Sequence, residues 1–393
     1  MRIALVHDYL NQWGGGERVL DVLARMFPKA PIYTLLHDAD AIGGRFAHHT
    51  LHTSFLDTPF IRKRHRWFIP LMPVASSLVK LRGYDLVISD SSGFAKGVRV
   101  AEGTPHISYI HSPLRYAWDK NYLVEELQRV KPFSYLPSFV LRTATAPIAW
   151  YLRMWDKRAA TKPQLLLANS NYIAGQISRH YGRPATTLYP PVDTSFFSYD
   201  PRATRQNYFL SVSRFVSYKR LDLLIDTFNN LHLPLKIVGS GRDEARLRAR
   251  ATSPNIEFVG AVYDEKLRRL YREASAFLFP NVEDFGLAAA EATACGTPII
   301  AYAAGGALEI VRDGENGVLF REQAPAALTE AIAKCRAIKW DHKTIAAGAK
   351  KFSQENFKAG IRDAIKKTLR TLSFSGLTRE SSSPLSGFQL PLE

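Results

Sequence analysis

The sequence predicts an α/β protein made of two doubly wound domains, each with a parallel sheet, facing each other across a cleft. Its 393 residues exceed what one compact core usually holds. Strand-like runs alternate with amphipathic helical runs, a pattern typical of parallel sheets with right-handed crossovers. Two distant segments also open with the same strand, turn and helix, which indicates two sheets.

Each opening is interpreted as the first βα unit of its sheet. RIALVHDYL leads through Gly14, Gly15 and Gly16 into the helical run ERVLDVLARMF. YFLSVSRF leads through VSYK into RLDLLIDTFNNL. The later units pair LKIVGSG with DEARLRARA, IEFVGAV with DEKLRRLYREA, and SAFLFPN with GLAAAEATAC, before a last strand PIIAYA.

Prolines and composition predict the domain limits. Pro190 and Pro191 interrupt both helix and strand patterns, so we expect one domain over 1–190 and a second over 191–353. Residues 354–372 are expected to form a helix that crosses back to the first domain. The segment 373–393, rich in Ser, Gly and Pro, is expected to be a flexible tail.

Composition limits the class of protein. With 46% hydrophobic and 22% charged residues the chain is typical of a globular protein. MRIALVHDYL is too short for a signal peptide or a membrane span, so the expected location is the cytoplasm. Cys295 and Cys335 have no CxxC spacing, so neither a disulfide framework nor a zinc site is expected.

The net charge of +16 is concentrated in the first half, with 24 Lys and Arg against 13 Asp and Glu up to residue 190 and 28 against 23 after it. Such a surplus suits an anionic partner, either nucleic acid, a phospholipid surface or a phosphorylated substrate. Residues 60–73 and 131–158 interleave basic and aromatic side chains. They are either solvated cations beside core aromatics or a surface for an anionic membrane.

Ligands of doubly wound sheets bind beyond the carboxyl ends of strands. Arg214 and Lys219 lie in the loop SRFVSYKR just beyond a strand, where two cations could bracket a diphosphate; a solvated loop is the alternative. Glu283 follows the strand SAFLFPN, and Glu291 lies one turn into the next helix. Two carboxylates there could each accept sugar or ribose hydroxyls, the alternative being a helix cap and an exposed helix residue.

A family resemblance sharpens this interpretation. EDFGLAAAEATACGTPIIAYAAGGALEIVRDGENGVLF, with SRFVSYKRLDLLI and IVGSG, resembles the donor half of the GT-B glycosyltransferases of family 4, which are retaining enzymes with a Glu-x7-Glu motif. MRIALVHDYLNQWGGGERVL, GYDLVISDSSGFAKGV, YIHSPLRYAWD, ANSNYIAGQI and LYPPVD are similar to bacterial mannosyltransferases of O-antigen and exopolysaccharide synthesis. The resemblance runs from Met1 to about Leu372 and implies two Rossmann-like domains, the first for the acceptor and the second for the nucleotide sugar.

The resemblance assigns roles to single residues. It implies that Arg214 and Lys219 bind the donor diphosphate and offset charge on the leaving group. Glu283 would hold hexose hydroxyls and Glu291 the ribose hydroxyls. His111 would contact the transferred sugar near its anomeric carbon. The remaining implied contacts to the donor are Gly15, Gly16, Gly239, Gly241, Val262, Phe285, Gly286 and Leu287.

The implied reaction uses a nucleotide sugar, with GDP-mannose favoured, and a glycan or polyprenyl-diphosphate-linked acceptor. Retention is then explained by front-face attack, so no catalytic base is assigned. No cofactor, metal or nucleic acid is expected. Asp38 and Asp40 have the spacing of an Asp-x-Asp metal motif, but GT-B enzymes hold diphosphate with Arg, Lys and helix ends. Peripheral attachment to the inner face of the cytoplasmic membrane is the alternative location.

Three other functions remain as alternatives. Gly14 to Gly16 follow a strand, and Asp38 lies about twenty residues further on, which is similar to the fingerprint of a dinucleotide-binding oxidoreductase. The glycine spacing, however, is not GxGxxG. A sugar-nucleotide epimerase would use the same fold without transfer, and a phosphorylase would need a far longer chain. A basic nucleic-acid-binding protein would need stacking aromatics along a basic stripe and salt-sensitive binding.

Overall fold

The computed structural model describes residues 1–119, 122–128 and 133–374. It confirms the predicted fold class, because the described chain forms two large sheets whose strands all pair in parallel. Apolar helices cover both sheets, and separate buried clusters lie in each half.

The first half contains nine strands and eight α-helices among its described residues. Its main sheet has the order β3-β2-β1-β5-β7-β8-β9, and β4 and β6 form a separate pair. The elements are β1 (Ile3–Leu10), α1 (Gly15–Met26), β2 (Ile32–His37), α2 (Ala39–Ile42), β3 (Leu51–Thr53), α3 (Pro59–Arg64), α4 (Met72–Leu78), β4 (Lys80–Leu81), β5 (Leu86–Ser91), β6 (Arg99–Val100), β7 (His106–Ile110), α5 (Arg115–Trp118), α6 (Tyr122–Gln128), α7 (Ser138–Ala159), β8 (Leu165–Ala168), α8 (Asn171–Tyr181) and β9 (Thr186–Thr187).

The second half has six strands in the order β12-β11-β10-β13-β14-β15. The elements are β10 (Phe209–Val212), α9 (Leu221–Leu231), β11 (Leu235–Val238), α10 (Glu244–Arg250), β12 (Ile256–Gly260), α11 (Asp264–Glu273), β13 (Ala276–Phe279), α12 (Leu287–Ala294), β14 (Ile299–Tyr302), α13 (Ala307–Ile310), β15 (Gly317–Phe320), α14 (Pro325–Ala337), α15 (His342–Gly348) and α16 (Gln354–Phe374).

Both sheets reverse their winding direction at one place. The first sheet winds outward to β3 on one side of β1 and outward to β9 on the other, so its reversal lies between β1 and β5. The second reverses between β10 and β13. Loops diverge there and leave a crevice at the carboxyl ends of the strands, which is where such sheets bind ligands. The loops after β1, β5, β10 and β13 therefore define where a site can form.

The last helix, α16, packs on the first half. Phe357, Ile361 and Ile365 are buried in the same apolar cluster as Ile88 and Tyr109 of the first sheet. The Phe357 ring meets the Tyr109 ring edge to face, with centroids 5.5 Å apart. The helix extends to residue 374, two residues into the segment expected to be a flexible tail, and 375–393 lie outside the described residues. None of the described helices combines the length and the low polarity that crossing a bilayer requires.

Candidate active site

Strand register places two histidines on one carboxylate in the first half. His7 of β1 is the direct partner of Asp90 on β5, and His111 follows the end of β7, the next strand across. His7 Nδ1 lies 2.9 Å from Asp90 Oδ2, and His111 Nε2 lies 2.5 Å from Asp90 Oδ1. Glu17 of α1 approaches His7 Nε2 to 3.7 Å. The carboxyl edge of this sheet thus carries a buried acid and imidazole cluster.

The nearby acids raise the pKa of both imidazoles. Burial disfavours a cation, but the hydrogen bond to Asp90 and the negative charges of Asp90 and Glu17 together outweigh burial and raise the pKa of His7 to about 10. Burial also lowers the pKa of His111, but the negative charge of Asp90 outweighs burial and raises that pKa. Burial also raises the pKa of Asp90, yet the two histidines hold it below its usual value. The hydrogen bond to Asp90 therefore fixes the orientation of the His111 ring at the cleft.

Gly15 and Gly16 allow α1 to begin close to this cluster. A Cβ on Gly16 would lie 3.5 Å from His7 and 3.6 Å from His111, and one on Gly15 would lie 3.0 Å from Leu287 of the opposite half. The two halves are therefore in contact beside the N-terminus of α1. A larger side chain at Gly15 would press on Leu287 of the opposed loop, whereas a Cβ at Gly16 would be in ordinary van der Waals contact with the two histidines.

Lys219 and Glu283 meet at the carboxyl edge of the second sheet. Lys219 lies beyond β10 and Glu283 beyond β13, the two strands that flank the reversal point. The Lys219 ammonium donates to the Glu283 carboxylate, which also accepts from Asn281 Nδ2 at 3.2 Å. Burial raises the pKa of Glu283, but Lys219 outweighs it and holds the pKa below its usual value. The glutamate is an anion whose oxygens can accept hydroxyl hydrogen bonds.

Arg214 is exposed at the same edge. Its guanidinium donates to Tyr218 Oη at 3.2 Å and to Gln12 Oε1, from the other half, at 3.2 Å. Arg115 lies across the cleft and donates to Asp284 Oδ2 at 2.5 Å. The site therefore contains three cations near the Glu283 loop, two from the second half and one from the first.

Glu291 is buried, with 6% of its surface exposed, so the alternative that it is an exposed helix residue is wrong. Arg18 of α1 donates to its Oε1 at 3.2 Å, and Tyr271 Oη donates to its Oε2 at 3.0 Å. Arg18 also donates to Asp264 at 3.0 Å. Its expected role at the ribose remains a prediction, and a ribose diol would have to replace or share the Arg18 contact.

The other implied donor positions occupy loops around the same crevice. Gly239 and Gly241 have φ of +129° and +159°, and a Cβ at these positions would lie 1.9 Å and 2.6 Å from backbone oxygens. These glycines are required by the close approach of the loops after β10 and β11. Gly286, with φ of +106°, precedes the first turn of α12. Val262 is half-buried in the loop before α11.

Phe285 has a packing role as well as its expected donor contact. Its ring is buried, 5.2 Å from the Phe352 ring and 5.8 Å from the Tyr189 ring. Leu287 is half-buried and faces Gly15. Phe285 therefore anchors the Glu283 loop to the core, while Leu287 lies at the contact between the halves.

The fold brings most of the expected site residues to one cleft, but sequence reasoning missed several partners. Asp90, His7 and Arg115 lie inside the motifs that carried the resemblance, yet no role was assigned to them. Strand register could have linked His7 with Asp90, since both are polar residues at the carboxyl ends of apolar strands. Nothing in the sequence signals that Arg18 and Arg115 reach across the cleft.

The aspartates with metal-like spacing have a local role. Asp38 follows β2 and caps α2, its carboxylate accepting from the Ala41 amide at 3.2 Å. Across the described residues, no three or more His, Cys, Asp and Glu side chains are grouped so that they could hold a metal ion. Cys295 and Cys335 are buried free thiols.

Comparison with protein families divides the chain into the same two halves. Residues 13–196 match the family described as Glycosyltransferase Family 4, and residues 195–352 match the family described as Glycosyl transferases group 1. The two matches adjoin near residue 196. Each half of the chain therefore matches a glycosyltransferase family model.

Curated relatives align over part of their length. An uncharacterized glycosyltransferase of Methanocaldococcus jannaschii, MJ1178, is 29% identical over 52% of this chain and 58% of its own. The D-rhamnosyltransferase WbpZ of Pseudomonas aeruginosa is 28% identical over 43% of this chain and 49% of its own. A D-inositol 3-phosphate glycosyltransferase of Geodermatophilus obscurus is 31% identical over 50% of each chain. The chain thus spans about half the length of the curated relatives it matches.

Solved structures share the fold over nearly the whole chain. HepE of Anabaena, solved in complex with UDP, superimposes with a TM-score of 0.68 over 93% of this chain and all of its own, at 18% identity. WaaG, a glycosyltransferase involved in lipopolysaccharide biosynthesis, superimposes with a TM-score of 0.58 over 91% of this chain and 95% of its own, at 16% identity. At such identities the likeness establishes the GT-B fold alone.

Proposed function

We propose that this GT-B protein, whose two halves match glycosyltransferase families, is a retaining glycosyltransferase that moves a hexose from a nucleotide sugar to a growing lipid-linked or polysaccharide glycan. GDP-mannose is the favoured donor, and mannose is the sugar that would be transferred. The observation that carries the proposal is the pairing of Lys219 with Glu283 at the reversal point of one sheet, opposite the Asp90-bound His111 of the other. A cation and a hydroxyl acceptor would then face the donor from one side of the cleft and an imidazole from the other.

The chemistry of these groups suits transfer from a sugar diphosphate. Arg214 and Lys219 would offset the charge that develops on the leaving diphosphate. Glu283 would accept hydrogen bonds from hexose hydroxyls, and His111 would donate one to the sugar from the opposite face. In front-face attack, the bond from the anomeric carbon to the phosphate oxygen breaks as the acceptor oxygen bonds to the same face. The leaving phosphate takes the acceptor's hydroxyl proton.

A donor screen tests this proposal. Calorimetry with GDP-mannose, UDP-glucose, UDP-GlcNAc and dTDP-sugars is expected to detect binding of GDP-mannose to the unmodified protein. The affinity for GDP-mannose should be at least tenfold weaker in Arg214→Gln, because one phosphate-binding cation is lost. Exposed Arg202→Gln is the matched control, since its side chain is 89% exposed and pairs only with its neighbour Asp200 in the second half. Absence of binding by every donor would contradict the transferase assignment.

A UDP-sugar is the second candidate donor. HepE, the Anabaena protein that superimposes on this chain, is described in complexes with UDP and with UDP-glucose. Binding of UDP-glucose with no binding of GDP-mannose would favour this candidate. Nicotinamide bound to the purified protein would instead favour the oxidoreductase, and release of an epimerised nucleotide sugar would favour the epimerase.

The acceptor is proposed to be a polyprenyl-diphosphate-linked oligosaccharide reached at the inner membrane face. The first half contains neither Asp nor Glu from residue 58 to 84 or from 127 to 155. Residues of α3, α4 and α7 share one apolar cluster, so these helices pack together. Outside that cluster Phe60, Trp67 and Trp150 are 59%, 63% and 64% exposed. Arg62 pairs with Asp57 and Arg66 with Glu126, but the two segments keep a surplus of basic residues. Exposed aromatics in segments with such a surplus suit an anionic bilayer, with about 1 kcal/mol gained per basic residue near its surface.

Vesicle flotation tests the membrane contact. The protein is expected to float with phosphatidylglycerol vesicles and not with phosphatidylcholine vesicles at low salt. The double variant Trp67→Ser and Trp150→Ser is expected to lose at least tenfold in vesicle affinity. Leu308→Ser, which removes a 54% exposed apolar side chain from the second half, is the control and should float normally. No flotation of the unmodified protein at low salt would refute the membrane proposal.

A further inference from the structure

The first half holds the loop that carries Glu283 at two points. Arg115 Nη2 donates to Asp284 Oδ2 at 2.5 Å, and Ser170 Oγ donates to the Asp284 backbone carbonyl at 2.5 Å. Asp284 directly follows Glu283, so these contacts restrain the backbone of both residues. The position of Glu283 therefore depends on side chains from across the cleft.

Arg115 also contacts the aromatic ring between the second-half cations. Its guanidinium carbon lies 5.3 Å from the centre of the Tyr218 ring, and the Lys219 ammonium lies 5.3 Å from the same centre. Tyr218 Oη accepts a hydrogen bond from Arg214. Cations are attracted to the face of a ring but repel one another. Tyr218 therefore lies among three cations, two of which also pair with the acids of the Glu283 loop.

Arg115 reaches these partners only across the contact between the halves. It is the first residue of α5 in the first half, whereas Asp284 and Tyr218 belong to loops of the second sheet. Opening the cleft by about 1 Å at this point takes the Arg115 to Asp284 pair beyond hydrogen-bond distance. The loop is therefore held at both points only when the cleft is closed.

We propose that Arg115 is a positioning residue for transfer, which acts through Asp284 and Tyr218 to fix Glu283 and Lys219 once the cleft has closed. The inference rests on the proposed function, because the loop it concerns is the expected donor loop. Contacts that form only in the closed complex raise kcat rather than tighten the first binding of donor. Arg115 therefore affects kcat more than the donor KM.

Steady-state kinetics of Arg115→Gln test the inference. We expect kcat to fall about 100-fold while the donor KM changes less than about threefold, since the loop is misplaced only in the closed complex. Arg115→Lys keeps the positive charge but lacks the planar guanidinium group, and its kcat should be about tenfold higher than that of Arg115→Gln. Asp284→Asn should lower kcat in the same direction, and the double variant should lose little more than Arg115→Gln alone.

Control measurements separate this role from a structural one. Arg312→Gln breaks an exposed pair with Glu315 in the second half and should leave kcat and KM unchanged. An unchanged kcat in Arg115→Gln, a loss confined to KM, or an equal loss in Arg312→Gln would overturn the inference while leaving the proposed function intact. An unmodified protein that binds no nucleotide sugar and transfers nothing would overturn both.

Discussion

Replacing Lys219 with methionine is expected to remove most of the transfer activity and to make the remainder depend on pH. In the unmodified protein the Lys219 ammonium pairs with Glu283, and the two side chains are 12% and 22% exposed. Methionine keeps most of the volume and removes the charge. The half-buried Glu283 carboxylate then retains Asn281 as a hydrogen-bond donor but loses its adjoining cation.

Two magnitudes follow from this geometry. Removing a cation that faces the leaving diphosphate is expected to lower kcat about 100-fold to 1,000-fold, or about 3 to 4 kcal/mol of transition-state stabilisation. Breaking a fully buried ion pair costs about 3 to 5 kcal/mol of unfolding free energy and breaking an exposed pair costs about 0 to 1 kcal/mol. Because this pair is partly exposed, we expect a loss of about 2 kcal/mol, small enough for the variant to fold.

The pH dependence distinguishes this explanation from simple loss of contact. Burial raises the pKa of Glu283 and Lys219 outweighs it, so the pKa of Glu283 is expected to rise when Lys219 is removed. The carboxylate in the unmodified protein stays charged until the pH falls through its lowered pKa. In Lys219→Met it becomes protonated at a higher pH, so the acid limb of the kcat profile moves upward.

Initial transfer rates between about pH 4.5 and 8, with denaturant unfolding at the same pH values, measure both effects. Lys219→Arg keeps the charge and should retain more activity than Lys219→Met. Lys334→Met removes an exposed pair with Glu330 and serves as the control. A Lys219→Met protein that transfers at the unmodified rate, or whose acid limb does not move, would refute the assigned pairing.

Further predictions concern the cleft, the loops and the buried histidine. Arg18→Met should lower the unfolding free energy by about 1 to 3 kcal/mol, because it leaves the buried Glu291 with one fewer donor, as denaturant unfolding would show. Gly239→Ala should lower the melting temperature, since its Cβ would lie 1.9 Å from a backbone oxygen at a φ of +129°; Gly348→Ala, with open space at its Cβ, should not. The pKa of His7 is raised to about 10, so the stability that its charge contributes is fully present below its ordinary pKa of 6.5 and is lost as the pH rises through about 10. Between pH 6.5 and about 10 the unfolding free energy should therefore fall more steeply than in His7→Gln.

The sequence alone predicted the parts of the site that depend on local order along the chain. A strand must end before a loop residue can face the cleft, and the apolar runs before Arg214 and Glu283 show where β10 and β13 end. Small residues with positive φ, such as Gly286, mark where backbone turns sharply into a helix. Alternating strands and helices then leave parallel sheets as the expected architecture, which the structure confirms.

Only the tertiary structure decided which charges meet. His7 and Asp90 are 83 positions apart and pair because β1 and β5 lie side by side in register, a choice of neighbour that hydrophobic pattern does not encode. Arg18 and Arg115 act on Glu291 and Asp284 because the two halves close on each other. Local pattern determines where a strand ends, whereas the energy of a buried charge depends on which partner the folded chain brings within hydrogen-bond distance.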